Sequence, residues 1–306
     1  MSDSKIPSRV EIPFFPFGKR IAVTTSFDDG VVQDRRVVKA FNEWGLKGTF
    51  NLNSGGLLRT GKPATGSSGR IDACEVADLY RGHEVAVHTV THPSLTRLDP
   101  AQIAMEVIED RKALEDLVGY PVRGMAYPNG AYDENVINVL RQTGIVYSRT
   151  VENSPRCFPP AEPLAWASTA HMYSNNPCPV NENFENLYNI KNYSGVFYIW
   201  GHTYEFDSKG CGWADLGRRF KQLVRKTATC RSSGWADLER IFKPLSGKPD
   251  VWYCTNIELF DYEAARKCLV IAANLKTAYN PSAITVSVSV DGRLADIPPG
   301  KIVDLK

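Results

Sequence analysis

Two adjacent carboxylates, Asp28 and Asp29, and two histidines four residues apart, His88 and His92, are the residues of this sequence best suited to do chemistry. Each pair directly follows a short apolar run of the kind that forms a strand. Imidazoles at this spacing, in a helical turn or a tight loop, can point at one spot. With one carboxylate they form a metal site that leaves coordination positions open for water and substrate.

The pattern assigns the two carboxylates different roles. Asp29, with His88 and His92, is the predicted ligand set of a divalent metal. Zinc suits imidazole with carboxylate best, and nickel, cobalt and manganese stay open as alternatives. Asp28 is the predicted general base that acts on a water molecule at this site. Because adjacent residues of a strand point to opposite faces, Asp28 is not expected to be a second ligand.

Six short segments resemble, in the same order, the motifs of the polysaccharide deacetylases, the NodB-homology proteins of carbohydrate esterase family 4. They are residues 25–30, 48–50, 82–85, 88–92, 126–130 and 199–202. The resemblance extends from residue 21 to residue 262. It implies hydrolysis of an acetyl group from a carbohydrate, either N-linked on an amino sugar or O-linked on a xylan-type glycan. It also implies a distorted, incomplete (β/α)7-type barrel.

Further site residues are implied by the later segments of the resemblance. His202 matches the general acid, which protonates the leaving amine or alkoxide. The backbone N–H of Asn129 matches the donor to the tetrahedral oxyanion, with Tyr127 expected on the same oxyanion and substrate side. The family's Asp-Trp pair, which helps to hold the acid histidine, has no clear match here. Glu205 is the candidate partner of His202 instead.

A second departure concerns the catalytic aspartate. Many family members carry, in the third motif, an arginine that orients this aspartate, but the corresponding residue here is Ala126. Arg149, at the end of the next predicted strand, lies on the correct rim of the barrel to replace that arginine. Arg123 is an alternative, although it precedes the end of its strand.

Apolar strand-like runs alternate with amphipathic helical patterns along the chain, which predicts an α/β fold with parallel strands and right-handed crossovers. One helix is expected to end at Gly45, and another to begin at Asp99 and Pro100. Residues 54–70 contain five glycines and are predicted to form a long exposed loop. In such folds the chemistry collects at the carboxyl ends of the strands, where the aspartates and histidines lie.

The domain organisation is predicted from where this alternation begins and stops. Residues 1–20 are expected to be an N-terminal extension and residues 21–275 the deacetylase-like domain. Residues 276–306 are expected to form a C-terminal β-hairpin appendage, because residues 285–290 alternate strictly and a hairpin turn signal follows at Asp291 and Gly292.

Two segments inside the domain depart from the regular pattern. Residues 153–192 are rich in proline, asparagine and tyrosine, and are predicted to be an irregular excursion that shapes the substrate cleft through Tyr173, Asn175 and Asn176. A packing loop is the alternative. Residues 212–250 contain a motif that recurs after 22 residues, and this repeat is interpreted as one duplicated amphipathic helix.

Composition limits the other possibilities. The 306 residues carry a formal charge of +2 with both signs interspersed, which gives no indication of a nucleic-acid-binding face. No stretch reaches the ~20 apolar residues of a membrane span. The first residues lack the apolar core of a signal peptide, and the seven cysteines follow no CxxC pattern. A cytoplasmic location with reduced thiols is therefore expected, or secretion if a leader has been removed.

Two other functions stay open at this point. Some NodB-like proteins are amidohydrolases that act on small amides or ureides without a metal, but the complete set of Asp29, His88 and His92 argues against a metal-free reaction. A non-catalytic carbohydrate-binding protein is the second alternative. The presence of both Asp28 and His202 argues against it, because a binding protein needs neither a base nor an acid.

Overall fold

The computed structural model describes residues 7–67, 69–175, 178–207 and 234–305. These residues form fifteen strands: β1 (Val10–Glu11), β2 (Ile21–Asp28), β3 (Thr49–Leu52), β4 (Glu84–Val87), β5 (Gly124–Ala126), β6 (Tyr147–Asn153), β7 (Trp166–Ser168), β8 (Ala170–His171), β9 (Gly195–Gly201), β10 (Val251–Tyr253), β11 (Val270–Ile271), β12 (Thr277–Tyr279), β13 (Val286–Val290), β14 (Arg293–Ile297) and β15 (Ile302–Asp304). The same residues form seven α-helices: α1 (Asp34–Trp44), α2 (Val76–Leu79), α3 (Pro100–Val118), α4 (Glu134–Leu140), α5 (Val180–Tyr188), α6 (Ala236–Phe242) and α7 (Asn256–Cys268).

Nine of the strands form one sheet in which every pairing is parallel. The strand order is β7-β6-β5-β4-β3-β2-β9-β8, and β10 pairs with the first half of β2. The two ends of this order, β7 and β8, are separated in the chain by Thr169 alone. The segment 166–171 therefore pairs with β6 through its first half and with β9 through its second half, which closes the sheet.

This closure gives the barrel seven strand positions, with β7 and β8 sharing one of them. The closing strand is broken at Thr169, so the barrel is distorted rather than regular. The α/β fold and the (β/α)7-type barrel expected from the sequence are both confirmed. The excursion at 153–192 contains the short strands β7 and β8 and helix α5, and its bounds as a separate segment stay a prediction.

The helices begin and end where local sequence chemistry requires. Gly45 ends α1 in the left-handed conformation at φ 69°, which glycine adopts without a steric penalty. The Asp99 carboxylate accepts a hydrogen bond from the Gln102 N–H and so caps the amino end of α3, with Pro100 as the first helical residue. Both predicted helix boundaries are confirmed.

The core fixes β2 firmly, and β2 leads directly into the two aspartates. The ring of Phe27 packs against those of Phe41 on α1, Phe50 on β3 and Phe242 on α6, with centroids 5.7 to 5.8 Å apart. All four rings are buried. Aromatic packing of this kind holds the backbone on either side of Phe27 in one position. The backbone of the adjacent Asp28 is therefore held in place as well.

The C-terminal hairpin of β13 and β14 is confirmed, with left-handed turn residues Asp291 and Gly292. It is not a two-stranded unit, however, because β1 from the N-terminal extension pairs with β13 and completes a three-stranded sheet. Strands β11, β12 and β15 form a second small sheet. The residues before 20 and after 275 thus share one sheet, and the domain boundaries at those positions stay predictions.

None of the helices in the described structure is long and apolar enough to cross a membrane. The first copy of the 22-residue repeat lies outside the described residues, whereas the second copy contains α6. The five described cysteines form no disulfide with one another.

Candidate active site

The residues singled out from the sequence meet at the carboxyl end of the barrel. Asp28 is the last residue of β2, His88 follows β4, and His202 follows β9. Because these strands are parallel, their carboxyl ends share one rim. Side chains more than 170 positions apart in sequence are thereby brought into one cluster.

One part of this cluster is a set of three candidate metal ligands. A ligand atom from each of Asp29, His88 and His92 lies within 4.8 Å of the other two. The His92 Nε2 is 3.8 Å from the Asp29 Oδ1, and the two imidazole rings have centroids 4.8 Å apart. Ligands that sit about 2.0–2.2 Å from one zinc ion are separated by comparable distances, so this spacing fits a single ion.

The backbone around these ligands is unusual. Asp29 and His92 have φ values of 88° and 61°, in the left-handed region that residues with a side chain rarely adopt. Such conformations persist where the surrounding structure enforces them, often at functional sites. The turn at Asp29 also changes the reason why the two carboxylates have different roles. Asp28 and Asp29 face different partners because the chain bends after Asp28, and not because of strict strand alternation.

His88 is held in the form that binds metals. Its Nδ1 donates a hydrogen bond to the Ala126 carbonyl oxygen at 2.8 Å, which leaves Nε2 as the free donor atom. Burial lowers the pKa of His88 to about 4, so the ring is neutral at physiological pH. Its backbone is fixed as well, because buried Asp110 accepts hydrogen bonds from the N–H groups of His88 and Ser54.

Arg70 is a site residue that the sequence analysis missed. It ends the glycine-rich loop, and its guanidinium lies 3.5 Å from the Asp29 Oδ1 and 3.4 Å from the Asn53 Oδ1. The chemistry of the donor set, two imidazoles and a carboxylate, fits zinc and related transition metals. Arg70 adds a positive charge beside that set.

Asp28 is buried beside the candidate metal ligands and is 3% exposed. Its carboxylate forms an ion pair with Arg149 and accepts a hydrogen bond of 2.9 Å from the Asn51 amide. Burial by itself would raise the pKa of Asp28, but the positive charges of Arg149 and His202 outweigh it and hold the pKa well below its usual range. The group is therefore ionised throughout the physiological range.

His202 faces this carboxylate, with its Nε2 3.8 Å from the Asp28 Oδ2. Its Nδ1 lies 2.7 Å from the Glu205 Oε1, so the contact suggested for Glu205 is present. Burial alone would lower the pKa of His202. The hydrogen bond to Glu205 and the negative charges of Glu205, Asp28 and Asp29 instead raise it to about 9, and the imidazole is protonated at neutral pH.

The third motif contributes less than expected. Tyr127 is buried; its hydroxyl donates to the Leu164 carbonyl oxygen at 2.7 Å and its N–H donates to the Arg149 carbonyl oxygen at 3.0 Å. Both of its donors are occupied, so the expectation that Tyr127 contacts substrate or an oxyanion is corrected: it is a packing residue. Asn129 has φ 58° in the turn after β5, on the same rim as His88.

Arg149 is the arginine that contacts the aspartate, as expected for the replacement of the family's arginine. Arg123 is ruled out as the partner, because it pairs with Asp261 at 2.7 Å. Asn51 was missed, although it follows the second matching segment directly and is paired in register with Asp28 across β2 and β3. Register between parallel strands cannot be read from one sequence, but its place one residue after a motif is a signal.

Of the three residues expected to shape a cleft, Tyr173 is half-buried and Asn175 is exposed, while Asn176 lies outside the described residues. The role assigned to them stays a prediction. His171 from the same segment was not assigned a role, yet its Nε2 lies 3.2 Å from the Glu205 Oε1. Among its described residues, the 153–192 segment contacts the site through His171.

Comparison with known proteins finds carbohydrate deacetylases among the proteins to which the chain is similar. Residues 18–148 match the family model described as polysaccharide deacetylase. The chain is 28% identical over 153 residues to the peptidoglycan-N-acetylglucosamine deacetylase PgdA of Listeria monocytogenes, which covers 48% of this chain and 30% of PgdA. It is 35% identical over 68 residues to a chitooligosaccharide deacetylase of a Bradyrhizobium species, which covers 22% of this chain and 31% of that protein.

The same fold is found in a solved structure. A Mycobacterium smegmatis protein, provisionally described as a polysaccharide deacetylase, aligns with a TM-score of 0.55 at 16% identity, over 86% of this chain and 95% of its own. The chain spans less than a third of the length of the two curated relatives given above. The fold is that of the NodB-like α/β barrels. Residues 18–148 of the chain are similar to the polysaccharide deacetylase family.

Proposed function

We propose that this protein is a metal-dependent hydrolase that removes acetyl groups from a carbohydrate. The observation that carries the proposal is the position of Asp28. Its ionised carboxylate lies 3.8 Å from the protonated His202 imidazole. The next residue in the chain is Asp29, the proposed metal ligand. A base, an acid and three metal-ligand atoms on one rim are the parts that hydrolysis of an amide or ester needs.

The metal would be held by one carboxylate oxygen of Asp29 and by ring nitrogens of His88 and His92, with Nε2 as the free nitrogen of His88. When bound, such an ion polarises the acetyl carbonyl and lowers the pKa of a water molecule. Zinc is the first choice for this donor set, with nickel, cobalt and manganese as alternatives.

Asp28 is the proposed general base. Arg149 and Asn51 hold its carboxylate in one orientation, and its low pKa keeps it unprotonated before the reaction. It accepts one proton as the water oxygen bonds to the acetyl carbon. Asn51 and Arg149 keep their contacts during this step, so the base needs no rearrangement.

His202 is the proposed general acid. Its Nδ1 is occupied by Glu205, so the proton to be transferred is the one on Nε2. That proton goes to the leaving nitrogen of an amide, or to the leaving oxygen of an ester, as the bond to the acetyl carbon breaks. The water supplies one proton to Asp28 and the leaving group receives one from His202, so the reaction yields acetate and a free amine or alcohol.

The oxyanion formed on the acetyl oxygen needs a hydrogen-bond donor besides the metal. The backbone N–H of Asn129 is the proposed donor. Asn129 follows Pro128 in a turn at the same rim and has a left-handed φ of 58°. The name of the Listeria relative specifies N-acetylglucosamine. An N-acetylated amino sugar is therefore the first substrate to test, with O-acetylated xylan second.

The proposal is tested by acetate release from acetylated chitooligosaccharides, peptidoglycan fragments and acetylated xylan, with zinc-loaded and chelated protein side by side. We expect release from at least one of them that depends on the metal and is lost in Asp28→Asn. Absence of release from all three by folded, zinc-loaded protein would contradict the proposal, as would release that Asp28→Asn leaves unchanged.

A further inference from the structure

Glu205 joins two histidines through a single oxygen. Its Oε1 accepts a hydrogen bond from the His202 N–H at 3.0 Å and lies 2.7 Å from the His202 Nδ1 and 3.2 Å from the His171 Nε2. The carboxylate is 8% exposed. The function proposed above uses His202 but gives no role to His171.

The hydrogen bonds fix which nitrogen of His171 carries the proton. The backbone N–H of Tyr173 donates to the His171 Nδ1 at 3.3 Å, so that nitrogen is an acceptor. A neutral imidazole with Nδ1 as acceptor carries its proton on Nε2, which is the nitrogen that faces Glu205. The chain of hydrogen bonds therefore runs in one direction, from the Tyr173 backbone through His171 to Glu205.

These residues are placed by elements that cannot move independently. His171 ends β8, the second half of the strand that closes the barrel, and its ring packs edge-on against Trp200 of the neighbouring β9 at 4.8 Å. Glu205 lies one turn beyond His202, in the residues that follow β9. The closing strand thus supplies a fixed donor to the carboxylate that contacts the acid.

The same three side chains could in principle hold a second metal ion, since their ligand atoms lie within 4.8 Å of one another. The distances favour hydrogen bonds instead. The 2.7 Å between the His202 Nδ1 and the Glu205 Oε1 is the length of a charge-assisted hydrogen bond. Two ligands of one ion, each at about 2.0–2.2 Å from it, lie further apart than that.

We infer that His171 is a positioning residue for His202, acting through Glu205. Glu205 holds the imidazole so that Nε2 faces Asp28, and His171 holds Glu205 in the orientation that does so. The inference rests on the proposed function for its catalytic meaning, since it assigns a purpose to the orientation of the acid. The hydrogen-bond chain itself does not depend on which substrate is used.

The first arm of the test does not involve activity. In zinc-loaded protein labelled with 15N, the wild-type His171 is expected to carry a proton on Nε2 and to accept the Tyr173 N–H at Nδ1, and His202 to be protonated on both nitrogens at pH 7. His171→Phe keeps an aromatic ring against Trp200 but removes the donor. It should shift the midpoint of the His202 titration downward by about one pH unit, because Glu205 is no longer held in the orientation in which it hydrogen-bonds to the His202 Nδ1.

The second arm separates positioning from packing. With an acetylated amino-sugar amide, His171→Phe should lower kcat by on the order of tenfold with KM unchanged. His171→Gln, whose side-chain amide can still donate to Glu205, should recover most of that loss. His83→Gln is the matched control, because His83 lies at the amino end of β4 and its ring nitrogens face Gly48 and Asn42.

Each failure has its own signature. A wild-type His171 protonated on Nδ1, or a His202 titration that His171→Phe leaves in place, would overturn the inference even if acetate is released. A second zinc ion per chain that is lost in His171→Phe would replace it by a metal site. If no acetylated carbohydrate is hydrolysed but the His202 titration shifts as expected, the proposed function fails and the hydrogen-bond chain stands.

Discussion

Arg149 reaches across the barrel to the carboxylate of Asp28, although its strand β6 is separated from β2 in the sheet by β5, β4 and β3. Both side chains are almost fully buried, at 1% and 4% exposure. The guanidinium also lies over the Trp200 ring, 4.3 Å from its centroid. The arginine is thus held by an aromatic face and a carboxylate, and it fixes the orientation of the proposed base.

The first prediction follows from this buried ion pair. Arg149→Ala leaves the Asp28 charge buried without its main partner, which should destabilise the fold by about 3–5 kcal/mol at pH 7. The double variant Arg149→Ala, Asp28→Asn should recover much of this loss, because the unpaired charge is gone. Chemical denaturation of the four proteins measures the coupling. Additive effects of the two substitutions would show that the pair is not coupled in solution.

The second prediction concerns the leaving group. His202→Ala removes the proposed proton donor, so hydrolysis of an N-acetyl amide should fall by about 10²–10⁴-fold. An activated acetyl ester, whose leaving group needs no proton, should be affected much less. The two substrates are compared with the same protein preparations and the same metal content. Equal losses on both substrates would remove the acid role from His202.

The third prediction concerns pH and stability. Burial raises the pKa of Glu84 from 4.5 to about 7, against the opposing hydrogen bonds from Ile257, Tyr147 and Thr49. The folded protein therefore retains a proton that the unfolded chain releases, so this group stabilises the fold below pH 4.5 and that stabilisation is lost as the pH rises to about 7. The change is up to about 1.4 kcal/mol per pH unit.

Glu84→Gln removes this titration and provides the measurement. Between pH 4.5 and 7 the free energy of unfolding of the wild type should decline relative to that of the variant, and the difference should level off above pH 7. Glu84 lies at the amino end of β4, away from the proposed active site. The zinc content should therefore be the same in the wild type and the variant, and it serves as the control. Parallel curves over the whole range would show that Glu84 has an ordinary pKa.

Much of the fold and part of the site could be predicted because the informative residues lie at or just after the ends of predicted strands in the sequence. Asp29 and His88 each come at the end of a predicted strand, with His92 four residues beyond His88, and parallel strands bring such positions to one rim. The replacement of the missing arginine by Arg149 could be predicted for the same reason. Glu205 could be suggested because it lies one turn from His202 in sequence.

What could not be predicted depends on contacts between distant segments. The role of His171 depends on the closing strand, and the break at Thr169 pairs one segment with two different neighbours. Asn51 reaches Asp28 through strand register, which one sequence does not specify. Tyr127 was misassigned because its place in a motif says nothing about the carbonyl groups that occupy its donors.

The division of work between the two aspartates is the central claim, and one comparison tests it most directly. Zinc content and acetate release are measured for Asp28→Asn and Asp29→Asn beside the wild type. Asp28→Asn should keep the metal and the fold and lose about 10²–10⁴-fold in activity. Asp29→Asn should bind zinc more weakly and regain part of its activity with excess metal. Loss of zinc in Asp28→Asn together with full zinc content in Asp29→Asn would contradict the assignment.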